Sequence, residues 1–314
     1  MIVFGPVPSR RLGQSLGVNN IPPKVCSYSC VYCQVGVTEK PETEPRAFYP
    51  PERVAAEVRQ RVENLRDRGE TIDVITFVPD GEPTLDIHLA DAIDLIKPIG
   101  LPVAVISNGS LLWQPEVRER LAHADWVSLK LDAADKATWR KVNRPADDLI
   151  LERVLEGIHA FATGFKGFLA TETMLVAGIN DAEEQVSATA GAVASLQPDK
   201  AYFAIPTRPT AMPGGRGPDP ESYACAIRTF KAKVNVVEEL TDHVAGAFGF
   251  SGDAEADILA TTAVHPMSEA DVAAFLTKAG AKLDLADALV MRGLLKRVRH
   301  GEQTFYVRSH GETT

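Results

Sequence analysis

The chain has 314 residues, of which 45% are hydrophobic and 24% are charged, and it carries a formal net charge of −9 at pH 7. This composition is that of an ordinary soluble globular protein. It contains no run of about eighteen apolar residues, which excludes a membrane-spanning helix, and its negative charge excludes a general attraction to nucleic acids.

The length predicts one large domain and a small one, since single α/β barrels exceed about two hundred residues. Residues 1–6 lack the basic and then apolar layout of a secretory signal. We therefore expect a cytoplasmic protein that does not associate with membranes.

Three cysteines, Cys26, Cys30 and Cys33, form a CxxxCxxC loop near the N-terminus. Thiolates are the usual ligands of iron–sulfur clusters, and three in one loop can hold three irons of a [4Fe–4S] cluster, leaving the fourth iron open. A structural zinc site needs four ligands, and only Cys225 remains, in a predicted helix over residues 221–231. Four cysteines are too few for a disulfide framework in this chain. A cluster is favoured, and Cys225 is predicted to be a small buried residue.

Apolar runs typical of strands alternate with amphipathic helical stretches, which is the pattern of a parallel sheet built from βα units. The first helix repeats Val54, Val58, Val62 and Leu65 at spacings of three and four residues, so one of its faces is apolar. The predicted strands cover residues 72–77, 103–106, 126–131, 169–176, 202–205 and 234–237. The predicted helices between them cover residues 51–68, 87–96, 115–122, 149–161 and 181–196.

The loops after these strands carry small and polar residues, and such loops bear the functional groups of parallel α/β barrels. After the first strand, Gly81 would let the backbone approach a ligand closely, and Glu82 would offer an acceptor to an ammonium group. A surface turn would explain the same residues. Ser107 and Asn108 end the next strand, where they would contact a ribose or a carboxylate, or would form a turn into the next helix.

Ser128, Lys130 and Asp132 lie on one face of the third predicted strand, because side chains alternate along a strand. If this face points into a barrel, a lysine and a carboxylate share its interior, where each needs a partner or a ligand. Lys130 and Asp132 are therefore candidate catalytic or cofactor-binding residues, and a structural ion pair is the alternative.

Four arginines lie near the cysteine loop or near predicted strand ends. A guanidinium binds a carboxylate or a phosphate through two hydrogen bonds, so together these residues favour an anionic substrate. Solvated surface side chains are the alternative. The four are Arg10, Arg11, Arg144 and Arg208.

The pattern changes near residue 254, where three helical stretches precede two strands around Gly301. We predict a winged-helix-like domain over residues 254–314, after a larger domain over residues 1–245. The last helix and hairpin are locally basic, with Arg292, Lys296, Arg297, Arg299 and Arg308.

The cysteine spacing resembles the signature of the radical S-adenosylmethionine (SAM) superfamily, in which the open iron takes the amino and carboxylate groups of SAM. Tyr32 before the last cysteine fits that family, and residues 80–84 resemble its GGE-type motif, with Asp80 in place of the first glycine. Residues 1–240 are similar to a bacterial and archaeal group related to the catalytic domain of the tRNA wyosine-base (4-demethylwyosine) synthases. The matching segments are residues 5–13, 80–85, 132–133, 143–145 and 176–181.

This resemblance implies a partial (β/α)6 barrel that cleaves SAM reductively to methionine and a 5′-deoxyadenosyl radical, with a reductant such as flavodoxin or ferredoxin. It implies that Cys26, Cys30 and Cys33 hold the [4Fe–4S] cluster and that Tyr32 lies near the adenine. The residues implied to position SAM are Gly81, Glu82, Ser107, Asn108, Lys130 and Asp132.

The substrate stays open between an RNA base, a peptide and an anionic metabolite. Wyosine synthases carry cysteines for a second cluster, whereas no cysteine precedes Cys26 here, and a flavodoxin-like domain is not expected. A second hypothesis is a redox-sensing regulator that binds nucleic acid through the winged helix. Winged helices also serve protein contacts, and the acidity of the chain disfavours a nucleic-acid partner.

Overall fold

A computed structural model describes residues 2–210, 212, 214–241 and 248–309. Within these residues the larger of two sheets has its strands in chain order. The first two strands are antiparallel, and every later strand is parallel to the one before it. These strands are β1 (Val3–Ser9), β2 (Gly13–Val18), β3 (Val74–Phe77), β4 (Val103–Ser107), β5 (Trp126–Lys130), β6 (Phe168–Met174), β7 (Lys200–Ala204) and β8 (Val237–Leu240).

Helices follow most of the parallel strands and cover the outer face of the sheet, which curls into a half-barrel. The first helix begins at Pro51, where the missing N–H costs no hydrogen bond, and it buries the predicted apolar stripe. The partial α/β barrel is therefore confirmed. The helices are α1 (Pro51–Asp67), α2 (Leu89–Ile96), α3 (Pro115–Leu121), α4 (Lys136–Val142), α5 (Leu151–Gly164), α6 (Glu183–Ser195) and α7 (Pro220–Lys231).

The two faces of the sheet differ in chemistry because side chains alternate along each strand. Ile75, Phe77 and Val105 point outward into the apolar core under the helices. Residues of opposite parity point inward and include polar groups; for example, the hydroxyl oxygens of Ser15 and Thr76 lie 2.8 Å apart. The barrel interior thus carries polar side chains as well as apolar ones.

Three features of the barrel were not predicted. Strands β1 and β2 lie in a Gly- and Pro-containing segment, and Pro6 and Pro8 fit only because β1 is an edge strand. Helix α4 is short and begins where the Asp135 carboxylate accepts a hydrogen bond from the Thr138 N–H (2.9 Å). The last strand lies at β8 and not over residues 234–237.

The C-terminal residues form a second, three-stranded sheet with helices, in the predicted order. Ser268 and Asp271 form the expected capping box. The likeness to a winged helix and the domain boundaries stay predictions. The elements are α8 (Ala254–Val264), β9 (Met267–Ser268), α9 (Glu269–Ala279), α10 (Leu285–Met291), β10 (Leu295–His300) and β11 (Gln303–Arg308).

This C-terminal unit packs directly on the first strand of the barrel. Phe4 and Val7 of β1 share one buried apolar cluster with Ile258 of α8 and with residues of α9. Arg61 of α1 joins the barrel to the C-terminal unit. Its Nη2 donates both to the Gly5 carbonyl oxygen (2.7 Å) and to the Asp257 carboxylate (2.6 Å). None of the helices in the described residues has the length and apolarity needed to cross a bilayer.

Candidate functional site

The cysteine loop follows the C-terminal end of β2 and is held by the backbone on two sides. On one side, the Lys24 N–H donates to the Asp80 carbonyl oxygen (2.7 Å). On the other, the Val31 N–H donates to the Val142 carbonyl oxygen at the end of α4 (3.0 Å). The loop is therefore fixed between the segments that follow β3 and β5.

The three thiols, those of Cys26, Cys30 and Cys33, are half-buried in this loop. Burial raises the pKa of Cys30 to about 12 and the pKa of Cys26 further, with smaller contributions from nearby carboxylates and from the other thiols. Because metals bind the thiolate, metal binding by these cysteines would release protons. Asn143 Nδ2 donates to Cys30 Sγ (3.5 Å) and Asn108 Nδ2 donates to Cys26 Sγ (3.7 Å), and such donors favour the thiolate.

These thiols suit a cluster better than a single metal ion. No group of three or more His, Cys, Asp or Glu side chains among the described residues could hold a metal ion. A structural zinc site would need four such ligands around one ion. An iron–sulfur cube takes one cysteine for each of several irons, so three thiolates of one loop fit it and leave one iron without a protein ligand.

Asp132 lies beneath the cysteine loop and is fully buried. Its Oδ2 accepts hydrogen bonds from the Tyr32 hydroxyl and from Asn143 Nδ2 (2.6 Å), and its Oδ1 accepts one from the Met174 N–H (2.8 Å). The ion pair with Lys130, which the sequence left open as an alternative, is not formed, because Asp132 accepts from these donors and Lys130 pairs with Glu172. Asp132 joins the loop to β6.

Glu82 is also buried, and its carboxylate accepts hydrogen bonds from four donors. Oε1 accepts from the Thr84 N–H (3.1 Å), the Thr84 hydroxyl (2.6 Å) and the Ser107 hydroxyl (2.7 Å). Oε2 accepts from the Asn108 N–H (2.7 Å). These bonds fix the end of β4 beside Cys26, and burial raises the pKa of Glu82 in spite of them.

The close backbone approach expected at Gly81 is made by the protein itself. A Cβ at this position would lie 1.9 Å from the Val25 carbonyl oxygen, so only glycine lets the cysteine loop pack here. The Glu82 N–H donates to the same oxygen (3.0 Å). Gly81 therefore supports the loop, and the space beside its Cα is filled.

A cavity of about 310 Å³ opens inside the barrel beside the loop. Three predicted arginines and Lys130 line it together with Tyr32 and Cys33, and Val264 and His265 from the end of α8 complete its wall. A larger depression of about 700 Å³ lies outside the barrel between α1 and α2, and none of the predicted site residues lines it. The cavity-lining residues that matter below are Arg10, Arg11, Tyr32, Cys33, Lys130, Glu172, Arg208, Val264 and His265.

Glu172 of β6 is the partner of Lys130. The two residues are opposite each other in the register of β5 and β6, and the ammonium group donates to the carboxylate. Arg11 forms a second ion pair with the same carboxylate. Burial lowers the pKa of Lys130 to about 8, and the nearby Arg11 adds to this decrease while Asp132 opposes it. The Lys130 ammonium also lies 5.1 Å from the Tyr32 ring centroid.

Several predicted residues lie outside the cavity. Arg144 is exposed beside the cysteine loop, and its Nη1 contacts Met212 Sδ (2.6 Å), so it does not join the other arginines. Glu82, Ser107 and Asn108 lie around Cys26 instead of on the cavity wall. Cys225 is exposed, and the prediction that it is buried is wrong.

Two residues of the site received no prediction. Glu172 lies inside the predicted strand over residues 169–176, and strand alternation places it on the same face as Met174. A carboxylate within an apolar strand was the available signal. Asn143 lies in the matching segment 143–145, but that match gave it no role, because its contacts with Asp132 and Cys30 depend on the tertiary fold.

Known proteins resemble the chain in sequence and in fold. The UPF0026 protein of Methanocaldococcus jannaschii is 41% identical over 310 residues, covering 98% of this chain and 96% of that protein. A UPF0026 protein of Helicobacter pylori is 34% identical over 229 residues, covering 72% and 73%. The structure of TYW1 with a lysine–pyruvate adduct bound has a TM-score of 0.55 at 15% identity and covers 71% of this chain and 75% of that chain; this likeness concerns the fold alone.

The family model of the radical SAM superfamily matches residues 20–190, which contain the cysteine loop and the Glu82 segment. This family implies SAM and an iron–sulfur cluster as cofactors, in agreement with the three loop thiols. The chain belongs to the radical SAM superfamily, and it is a radical SAM enzyme.

Proposed function

We propose that Cys26, Cys30 and Cys33 hold a [4Fe–4S] cluster at which SAM is cleaved, and that the radical acts on a substrate in the barrel cavity. The observation that carries this proposal is the position of Cys33 and Tyr32 on the wall of a cavity that also holds charged side chains, next to two further thiols that have N–H donors. When bound, the cluster supplies one electron, taken from a reductant such as flavodoxin or ferredoxin, that divides SAM into methionine and a 5′-deoxyadenosyl radical.

The residues of the chain bind and orient in this scheme. The ammonium group of Lys130 lies on the cavity wall, where it would bind the carboxylate of SAM. The ring of Tyr32 would offer an apolar face to the adenine of SAM. Asn108, Ser107 and the backbone around them are held by Glu82, so that segment is rigid beside Cys26. In this proposal Glu82 and Asp132 act through the residues that they position.

The structure gives little support to the alternative function of a nucleic-acid-binding regulator. Arg297 pairs with Asp287, and Arg292 Nη1 lies 2.8 Å from Glu255 Oε1. Carboxylates of the same unit thus neutralise part of its basic surface. A substrate inside the barrel remains the favoured reading.

The test is anaerobic reconstitution of the full chain with iron and sulfide, followed by reduction in the presence of SAM. We expect 5′-deoxyadenosine in the wild type and in Cys225→Ala, whose thiol is exposed and outside the loop. Cys30→Ala should release none above the protein-free control and should bind less iron. Undiminished cleavage by Cys30→Ala, or zinc in place of iron in the reconstituted wild type, would refute the proposal.

A further inference from the structure

The guanidinium of Arg208 is a buried cation for which the described part of the chain supplies no ion pair. Arg208 follows β7, is only 8% exposed and lines the barrel cavity. It forms no ion pair with any residue that the structure describes, and its Nε has no hydrogen-bond partner. Burying an unpaired charge is costly, so such groups normally meet an opposite charge. The cavity therefore requires an anion at this point that the described residues do not supply.

The other charges on the cavity wall increase this requirement. Arg10 and Arg11 enter from the turn between β1 and β2, and Lys130 enters from β5. Among the described residues on the wall, Glu172 is the one carboxylate, and it is shared by Arg11 and Lys130. Burial lowers the pKa of Arg208 to about 10, with a further decrease from Arg10, so it stays charged at neutral pH.

Asp271 of α9 is the carboxylate that acts on Arg208 from outside the wall, and its charge opposes the decrease in the pKa of Arg208. Its Oδ2 accepts hydrogen bonds from the Ser268 hydroxyl (2.7 Å) and from the Ser268 N–H (3.1 Å). The capping box therefore occupies one oxygen of this carboxylate. Among the described residues that line the cavity, cations outnumber carboxylates, although the chain as a whole is acidic.

The cavity has the size of a metabolite site, since small-molecule pockets start at roughly 300 Å³. One wall holds Tyr32 and Cys33, and the end of α8 contributes Val264 and His265. An anionic group at Arg208 would hold a small molecule inside the barrel, next to the cysteine loop.

We propose that Arg208, with Arg10 and Arg11, binds a phosphate or carboxylate group of a small-molecule substrate in this cavity. The proposal rests on the proposed function, which makes this cavity the substrate site. The anion could instead be the carboxylate of SAM itself, which has the same chemistry. The experiment below separates these two sources.

The test measures the thermal unfolding midpoint of the reconstituted, unreduced protein as inorganic phosphate or malonate is added, with and without SAM. We expect one of these anions to raise the midpoint saturably, and we expect Arg208→Gln to weaken its apparent affinity by about thirtyfold or more. Arg144→Gln, the same change at an exposed guanidinium outside the cavity, should leave the affinity unchanged. Arg208→Lys should restore part of the response.

Four results would overturn the proposal. The first is that neither anion stabilises the protein, and the second is that Arg208→Gln binds the anion as tightly as the wild type. The third is that the anion no longer raises the midpoint when SAM is present, which would assign the cations to SAM. The fourth is a midpoint of Arg208→Gln without anion that lies well below the wild type, which would give Arg208 a structural role. The measurement needs neither reduction nor cleavage, so its failure differs from failure of the radical chemistry.

Discussion

Asp132 shows how a single buried residue supports the cysteine loop. It is bound by Tyr32 from the loop, by Asn143 from the end of α4 and by the backbone of β6. Asn143 also donates to Cys30 Sγ (3.5 Å). Asp132 thus acts on the thiol of Cys30, a proposed cluster ligand, through one intervening side chain, as outer-shell residues of metal sites do.

We expect Asp132→Asn to lower the free energy of unfolding by about 2–3 kcal/mol, because an amide NH2 would face N–H and O–H donors in a buried site. The measurement is urea unfolding of the full chain without metal. Asp135→Asn is the matched control, since asparagine caps a helix as well as aspartate does. An unchanged Asp132→Asn midpoint would show that these hydrogen bonds add no stability.

Asp80 predicts a pH dependence of stability. It is buried, its Oδ1 has no hydrogen-bond partner, and burial raises its pKa to about 7, opposed by Lys24. The unfolded chain loses this proton near pH 4, whereas the folded chain keeps it until about pH 7. The free energy of unfolding should therefore fall as the pH rises from about 4 to about 7. This group contributes up to about 4 kcal/mol to the fall.

The measurement is urea unfolding at pH 5 and pH 8. Asp80→Asn keeps the shape of the side chain and removes its titration, so its loss of stability between the two pH values should be smaller than that of the wild type. Equal losses in both proteins would assign the pH dependence to other groups.

At the scale of elements, the segment after β3 fits against the cysteine loop at Gly81. We expect Gly81→Ala to lower the free energy of unfolding by about 3 kcal/mol, because its Cβ would meet the Val25 carbonyl oxygen and Ile21 Cδ1 (2.9 Å). Iron incorporation on reconstitution should fall as well. The measurements are urea unfolding and iron content after anaerobic reconstitution.

Gly164→Ala, at the end of α5, is the control for this change. Nothing lies within 4 Å of its added Cβ, so the free energy of unfolding should stay the same or rise by up to about 1 kcal/mol. If both alanine variants behave alike, the tight fit at Gly81 has no energetic consequence.

The sequence predicted the elements better than the partners of their side chains. Strand alternation placed Lys130 on the inner face of β5, but its partner depends on the register with β6, which sets it opposite Glu172. Positions near predicted strand ends grouped Arg144 with Arg208, whereas in the fold only Arg208 of the two lines the cavity. Local patterns also missed β1, because its prolines suit only an edge strand.

At the scale of the whole molecule, the C-terminal unit is part of the barrel's packing. It covers Phe4 and Val7 of β1 and is tied to α1 through Arg61 and Asp257. Its removal would expose the apolar face of β1. Deletion of residues 254–314 would therefore disturb the barrel as well as remove the C-terminal unit. Nucleic-acid binding is better tested with point variants.

We expect the full chain to bind RNA and DNA no more tightly than non-specific complexes, with Kd in the range of about 10⁻⁶–10⁻⁴ M at physiological salt. The chain is acidic and several of its C-terminal arginines are paired. The measurement is fluorescence anisotropy over a range of salt concentrations. Tighter binding that is lost in a Lys296→Glu and Arg299→Glu double variant would restore the regulator hypothesis.

Val264 and His265 line the cavity from a part of the chain that is distant in sequence from the cysteine loop. The residues around the thiols belong to the N-terminal half, whereas these two residues lie at the end of α8. Changes at Val264 would alter which molecules fit the cavity without touching the three thiols that we propose as iron ligands. Under the proposed function, the fold thus lets the choice of substrate change through α8 while the residues around the thiols stay the same.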